Sequence, residues 1–519
     1  MSNQISSLFA GRDYSVIALF LFLGALCILF TFPVSEGDFF WHVKTGEWIW
    51  EHGRLPSADP FSFVNSYLNQ TPVVIERTRF YLTQYWLGQL ALFGVWKSAG
   101  EAGMVVLRAI IYTGILGFVY WWLKRGKTGV IPLVTVFAIG NVLRNYAGER
   151  PQIFAFFFMI FLLYLLEQLT RRDRAIQKPH AAALLLLMLI WSNCHGSFIL
   201  GVTVIALYLV SGIISDRLHD RPFNTPLLVL QTGAALISGI NPNGYSAFRM
   251  SLFPPKTFII DIAEYTSPLK ELFVQHFIDY YYWGLLLAVV ITIFVKFRSM
   301  ELHHIAVPVV LGALSLTGLR YIPFFILVTP LVALHLPDCK LKGRYGPLPL
   351  LAVMLWLGTA DFRNVLEFRA NKAFPVEAVR FLNTVQPPGN IFNHTFWGGY
   401  LMCYTDHPVF VDGRGIVPNI TQIHEYVMAG TNWKGPLSFY NINTIVIPGT
   451  NLNSQTVYPL LLQLRDDTGW ALIYQDDVAL IFLRNVPQNR ALVEQYAIDK
   501  ERIATHIMAR LAWQMKNEM

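Results

Sequence analysis

Eleven apolar runs punctuate this chain and leave few folds open to it. They fall at 14–32, 104–123, 129–143, 153–169, 182–196, 198–214, 225–241, 280–295, 303–317, 321–336 and 346–359. Water tolerates such continuous apolar surface poorly, whereas a bilayer needs about 20 apolar residues for each helix that crosses it. The runs predict a polytopic α-helical membrane protein of about 11 transmembrane helices. Several fall short of that length, so their ends are soft, and 84–99 is a candidate twelfth element lying in the interface. Run 14–32 follows Arg12, ends at Pro33 and has no small-residue cleavage site behind it, which predicts a retained span rather than a signal peptide.

Composition bears on what the spans are for. The chain is 54% hydrophobic and 14% charged, with 14 Trp, 23 Tyr and 38 Phe. Aromatics at this density suit a lipid–water boundary. No basic run is interleaved with aromatics, so nucleic acid is not an expected partner. Cys27, Cys194, Cys339 and Cys403 stand singly, which excludes a disulfide scaffold or a zinc finger. GxGxxG, GxxxxGK[ST] and GxSxG are all missing, leaving nucleotide chemistry and serine hydrolysis without support.

Charge orients the chain. With a cytoplasmic N-terminus, the inner loops 124–128, 170–181, 215–224, 296–302 and 337–345 hold 14 Lys or Arg in 43 residues, and the outer segments 11 in 122. This positive-inside bias predicts a large first outer loop at 33–103 and an extracytoplasmic domain after residue 360. The expected division is therefore 1–360, multi-span, and 361–519, α/β. In the latter, strands are expected at 389–393, 408–411, 445–447, 471–474 and 478–482. Helices are expected at 374–384, 396–404, 419–428 and 455–465, and in the tail from Arg490. Asp412-Gly413-Arg414, at the expected end of a strand, is either a ligand-binding turn or a plain one.

The middle thirds of the expected spans carry no Asp, Glu, Lys or Arg, and no half of the chain is duplicated, which argues against an ion-coupled transporter. Ionisable groups gather at the outer ends instead. Asp38 begins a helix running from Phe39 to about Gly53, as an N-cap, with Trp41, Trp48 and Ile49 on a face suited to the headgroup zone. The other corners contribute Glu149-Arg150-Pro151-Gln152, Asn193-Cys194-His195-Gly196, Asn241-Pro242-Asn243-Gly244, Glu264 and Arg320. Each has a structural alternative: a cap for Asp38 and His195, a turn for Asn241, a lone snorkelling anchor for Arg320.

Asp38-Phe39-Phe40-Trp41-His42, Thr45-Gly46-Glu47-Trp48-Ile49, Arg150-Pro151-Gln152, Trp191-x-Asn193-x-His195-Gly196, Asn241-Pro242-Asn243-Gly244 and Arg320-Tyr321-Ile322-Pro323 together resemble a group of bacterial polytopic proteins related to the C-type (GT-C fold) membrane glycosyltransferases. The resemblance implies a GT-C-like fold in the cytoplasmic membrane. It also implies transfer of a sugar from a polyprenyl-phosphate donor to a glycan, lipid or protein acceptor, with acids at Asp38 and Glu149 in the catalytic positions. The adjacent acidic pair of many relatives is here Glu36-Gly37-Asp38, which leaves metal dependence open.

The chemistry can be stated without the family. Outside the cytoplasm an activated sugar arrives on a lipid whose phosphate stays at the headgroup layer, so the site must sit there. Attack by an acceptor hydroxyl needs a general base and a means of stabilising the departing phosphate. Asp38 is the expected base. Arg150 and Arg320 would neutralise phosphate, aided by a divalent cation (Mg or Mn) if Asp38 and Glu149 share one. His42, Asn193, His195, Asn241 and Glu264 would bind substrate. The alternative is a non-catalytic scaffold or assembly subunit of the same fold, which would let these residues scatter and pair locally.

Overall fold

The computed structural model describes residues 23–24, 27–28, 30–67, 71–127, 130–171, 175–253, 263–272, 279–339, 374–417, 419–451, 456–505, 507–508 and 512. Among them the chain runs as an apolar helical bundle followed by an α/β domain. Expected run 346–359 lies outside the described residues and run 14–32 largely so.

Helix α1 (Gly37–His52) starts one residue beyond Glu36 and stops where Gly53 turns left-handed at φ 61°, its N–H bonded to Ile49 O. Asp38 lies inside the first turn and caps nothing, so it is free for other partners. The bundle then comprises α2 (Pro72–Thr83), α3 (Trp86–Gly126), α4 (Ile131–Arg144), α5 (Gln152–Leu169), α6 (Lys178–Cys194), α7 (Phe198–Leu218), α8 (Thr225–Ile237), α9 (Ser246–Leu252), α10 (Tyr280–Lys296), α11 (Leu302–Ser315) and α12 (Ile322–Ala333). A proline opens α4, α6, α8 and α12. Its fixed φ and missing N–H suit the first turn.

Four helices are long and apolar enough to cross a membrane, at Trp86–Gly126, Gln152–Leu169, Phe198–Leu218 and Tyr280–Ser299, alongside shorter apolar ones. The expected count of about eleven spans, several of them short, is thus met only in part among the described residues. The stretch expected at 84–99 forms the first part of α3, from Trp86 up to a kink at non-helical Gly100 (φ 56°), and 104–123 lies in the helix beyond the kink.

The α/β domain follows with α13 (Val376–Val385), β1 (Asn390–Asn393), α14 (Gly398–Tyr404), α15 (Ile420–Met428), α16 (Lys434–Phe439), β2 (Ile442–Ile447), α17 (Pro459–Asp466), β3 (Trp470–Gln475), β4 (Leu480–Arg484) and α18 (Arg490–Tyr496). The sheet order is β1-β2-β4-β3, with β1 and β2 parallel and the other pairs antiparallel. The β3–β4 turn is held by Asp476 Oδ1, which accepts from the N–H groups of Val478 and Ala479 at 2.7 Å each. Residues 408–411 do not join the sheet. Val409 instead makes a lone bridge to Ser62 in the first outer loop.

That bridge belongs to a broader seam. Phe39, Phe40, Trp41, Leu92, Phe93, Trp397, Tyr400 and Leu401 share one buried cluster, so the domain, α1 and the start of α3 have a common core. The expected interfacial face of α1 is therefore covered by protein: Trp41 and Ile49 are buried, and Trp48 stacks on His52. Glycine makes the approach close. A Cβ on Gly399 would meet Gly37 O at 2.6 Å, and one on Gly413 would collide with Asp38 Oδ1.

Candidate active site

Four elements bring charge to one end of the bundle. α1 presents Asp38 from its first turn. The corner between α4 and α5 presents Arg150. A 3-10 turn at Ala263–Tyr265 carries Glu264, and another at Leu319–Tyr321 carries Arg320. These two turns are stitched by the Leu319 N–H, which donates to Thr266 O at 3.0 Å.

Arg150 is the hub. Its Nη1 lies 3.5 Å from Asp38 Oδ2, its Nε 3.8 Å from Glu36 Oε2, and its Nη2 bonds Glu264 Oε1. Three carboxylates around one guanidinium leave negative charge in excess, and the carboxyl that gives way is Asp38. Burial pushes it from 3.8 up to about 6, against the pull of Arg150 and with added repulsion from Glu36 and Glu264. Burial also works against Glu264, but Arg150 and then Arg320 hold it below the usual carboxylate range. Asp38 keeps 26% of its side chain exposed and Arg150 24%, so both remain reachable.

Two imidazoles flank this cluster. Burial, and after it the cations nearby, pushes His195 down to about 3 and His42 well below its ordinary value, so both are neutral. The tautomer of His195 follows from its partner. His195 Nδ1 takes the Ser197 backbone N–H at 3.1 Å, and His42 lies with Nδ1 3.2 Å from the Gln89 amide nitrogen. The backbone donor at Ser197 therefore places the His195 ring proton on Nε2, a neutral donor. Tyr85 sits between them, 5.5 Å from the His42 ring and 5.4 Å from that of His195. Arg320 lies over Tyr265 at 4.7 Å.

Other expected residues stand apart. Glu149, next to Arg150 in sequence, turns inward: it is 1% exposed and pairs with Arg108, whose Nε also bonds Phe30 O at 2.8 Å. Asn193 accepts from Trp86 Nε1 at 2.8 Å and donates to Ile240 O at 2.8 Å. Asn241 closes its own turn, donating to Ser238 O and Gly244 O. These two asparagines line a neighbouring cavity of about 630 Å3 with Ile49, Trp50, Leu55, Trp86 and Leu90.

A divalent cation shared by Asp38 and Glu149 does not fit this arrangement. Glu149 spends its charge on Arg108, and the Arg150 guanidinium already holds the position of a cation among Glu36, Asp38 and Glu264.

The α/β domain closes the cluster from above. Arg77 of α2 donates to Gly415 O through Nε at 3.0 Å. Arg414 forks onto Asp59 at 2.8 and 2.9 Å while also bonding Asp412 at 2.7 Å. The turn expected as a possible ligand site is thus a buried clasp to the first outer loop. Arg77, Tyr81 and Tyr85 went unnoticed in the sequence, although their four-residue spacing on and just beyond α2 aligns them along one helix face.

Neither a family model nor a curated protein matches the sequence. Among solved structures, the chain is similar to the archaeal oligosaccharyltransferase AglB from Archaeoglobus fulgidus, solved with an inhibitory peptide and a dolichol-phosphate. The TM-score is 0.54 at 11% identity, over 95% of this chain and 78% of that one. It is also similar to ArnT from Cupriavidus metallidurans bound to undecaprenyl phosphate, with TM-score 0.54 and 11% identity over 92% of this chain and 99% of that one. Both are GT-C fold membrane glycosyltransferases, and at this identity what the chain shares with them is the fold.

Proposed function

We propose that this GT-C-fold chain is a membrane glycosyltransferase. It moves a sugar from a polyprenyl-phosphate donor to a glycan, lipid or protein acceptor on the extracytoplasmic face of the cytoplasmic membrane. The observation that carries the reading is the Asp38 carboxyl: reachable, raised to about 6, and facing Arg150 beside Arg320 and two neutral imidazoles. A carboxylate with this proton affinity is largely ionised at neutral pH yet basic enough to take a hydroxyl proton.

In this reading Asp38 accepts the proton of the acceptor hydroxyl as its oxygen bonds the anomeric carbon. The anomeric C–O bond to phosphate breaks, and the polyprenyl phosphate leaves with the electron pair. Arg320 and Arg150 stabilise that charge by ionic hydrogen bonds. Glu264 fixes Arg150, the Nε2–H of His195 donates to a sugar hydroxyl, and His42 binds another. Glu149, sealed against Arg108, serves the fold.

The test is lipid extraction from protein purified in mild detergent, followed by mass spectrometry. Wild type should retain a polyprenyl phosphate that Arg320→Ala loses. Recovery of ordinary phospholipids alone, equally in both, would sink the assignment.

A further inference from the structure

Two ends of α5 carry polar clusters, and only one of them belongs to the proposed reaction. Glu167 lies 17 residues beyond Arg150 in the sequence, about 25 Å farther along at helical rise, at the end that the charge distribution assigns to the cytoplasm. Its Oε1 is approached by His303 Nε2 at 3.2 Å and His304 Nε2 at 3.0 Å, both from the first turn of α11, and accepts from Tyr208 OH at 2.9 Å. The three potential ligand atoms lie within 4.8 Å of one another.

This convergence is directed. Successive residues on a helix point about 100° apart, yet both rings turn their ε nitrogens to one oxygen. Ligands about 2.0–2.1 Å from a tetrahedral ion stand about 3.3 Å from each other, close to the two spacings observed. His304 also has the outer-shell support that metal-bound histidines carry: its Nδ1 lies 2.9 Å from His335 Nε2, just past α12. Side-chain exposures of 14% for Glu167, 14% for His303 and 9% for His304 leave the group enclosed.

We propose that Glu167, His303 and His304 bind a zinc-type divalent ion, with His335 orienting His304 from the second shell and one coordination position left to water. Two imidazoles and one carboxylate suit a borderline-soft ion, whereas magnesium and calcium favour all-oxygen shells. The ion pins α11 to α5 at the end of the bundle opposite the acid cluster. It takes no part in sugar transfer, and the inference stands whether or not the chain is a transferase.

The test uses the full-length protein in detergent, stripped with chelator and returned to Zn2+ or Co2+. Wild type should hold one Zn2+ per chain and give the absorption of tetrahedral Co2+. His303→Ala and His304→Ala should each weaken binding at least 100-fold. Loss of the outer-shell contact in His335→Ala should weaken it about tenfold, while Asp38→Asn should bind as wild type. Zinc should also raise the melting temperature of wild type in proportion to ln(1 + [Zn]/Kd), a measurement that needs no variant to fold. Absence of stoichiometric zinc together with an unmoved melting temperature overturns the proposal. So does zinc retained undiminished by a folded His303→Ala/His304→Ala double variant.

Discussion

Glu149 and Arg150 are neighbours in the chain and opposites in the fold. Glu149 meets one partner, Arg108, in a dry interior where donor and acceptor are both fully enclosed. Arg150 meets three carboxylates at a site where 24–37% of each side chain stays exposed. The first pair is balanced and closed, the second oversupplied with acid and reachable. Removing one member of a buried pair strands its partner's charge, whereas an unbalanced open cluster holds a carboxyl whose proton is available for exchange. In the proposed function, chemistry belongs to the second arrangement and integrity to the first.

The sharpest way to break this contrast is to exchange the outcomes. Glu149→Gln should cost about 3–5 kcal/mol of stability, read as a large fall in melting temperature. Asp38→Asn should lower sugar transfer roughly 1,000-fold in a protein that still folds and inserts. A stable Glu149→Gln protein, or normal turnover by Asp38→Asn, would erase the distinction.

Arg150→Ala should reduce transfer about 100-fold, with Arg150→Lys recovering part of it, since charge survives but the fork to Asp38 and Glu264 does not. Equal loss in both variants would mean that geometry alone matters.

The raised Asp38 carboxyl also sharpens the comparison through pH. Folded Asp38 keeps its proton to about 6 and unfolded Asp38 only to 3.8, so native stability falls as pH rises between those values. Asp38→Asn escapes this penalty. It should be more stable than wild type above pH 7, by at most about 3 kcal/mol, and the gap should close below pH 4. Transfer by wild type should climb as pH rises through 6. A pH-independent gap in melting temperature would show that ionisation is not its cause.

The smallest expected effect is that of Gly413→Ala, whose added methyl must push against Asp38 Oδ1. Transfer should fall about tenfold with the pH profile displaced, while Gly94→Ala, in open space on α3, should leave transfer untouched.

Local signals made much of this architecture readable. Apolar runs mark the helices, Gly53 marks the end of α1, and short apolar stretches mark β2, β3 and β4. The meeting of Asp38, Arg150, Glu264 and Arg320 was expected from a shared membrane depth, because each sits at a corner where a span ends. Depth says nothing of azimuth, however. Whether Glu149 faces the cavity or Arg108 depends on how α3 is rotated about its axis, and Arg108 lies 41 residues upstream of Glu149. The burial of Trp41 depends on a domain that begins more than 300 residues later. Residues 408–411 read as a strand by composition, but the partner they find is Ser62, far away in sequence.

The backbone of the α/β domain rests on Asp38 itself at Gly413, with no side chain between them. Domain and acid cluster are thus one assembly. In the proposed reading an acceptor approaches through the 26% of the Asp38 side chain that stays exposed, and the clasp of the 412–415 turn to Asp59 and Arg77 sets how wide that approach is.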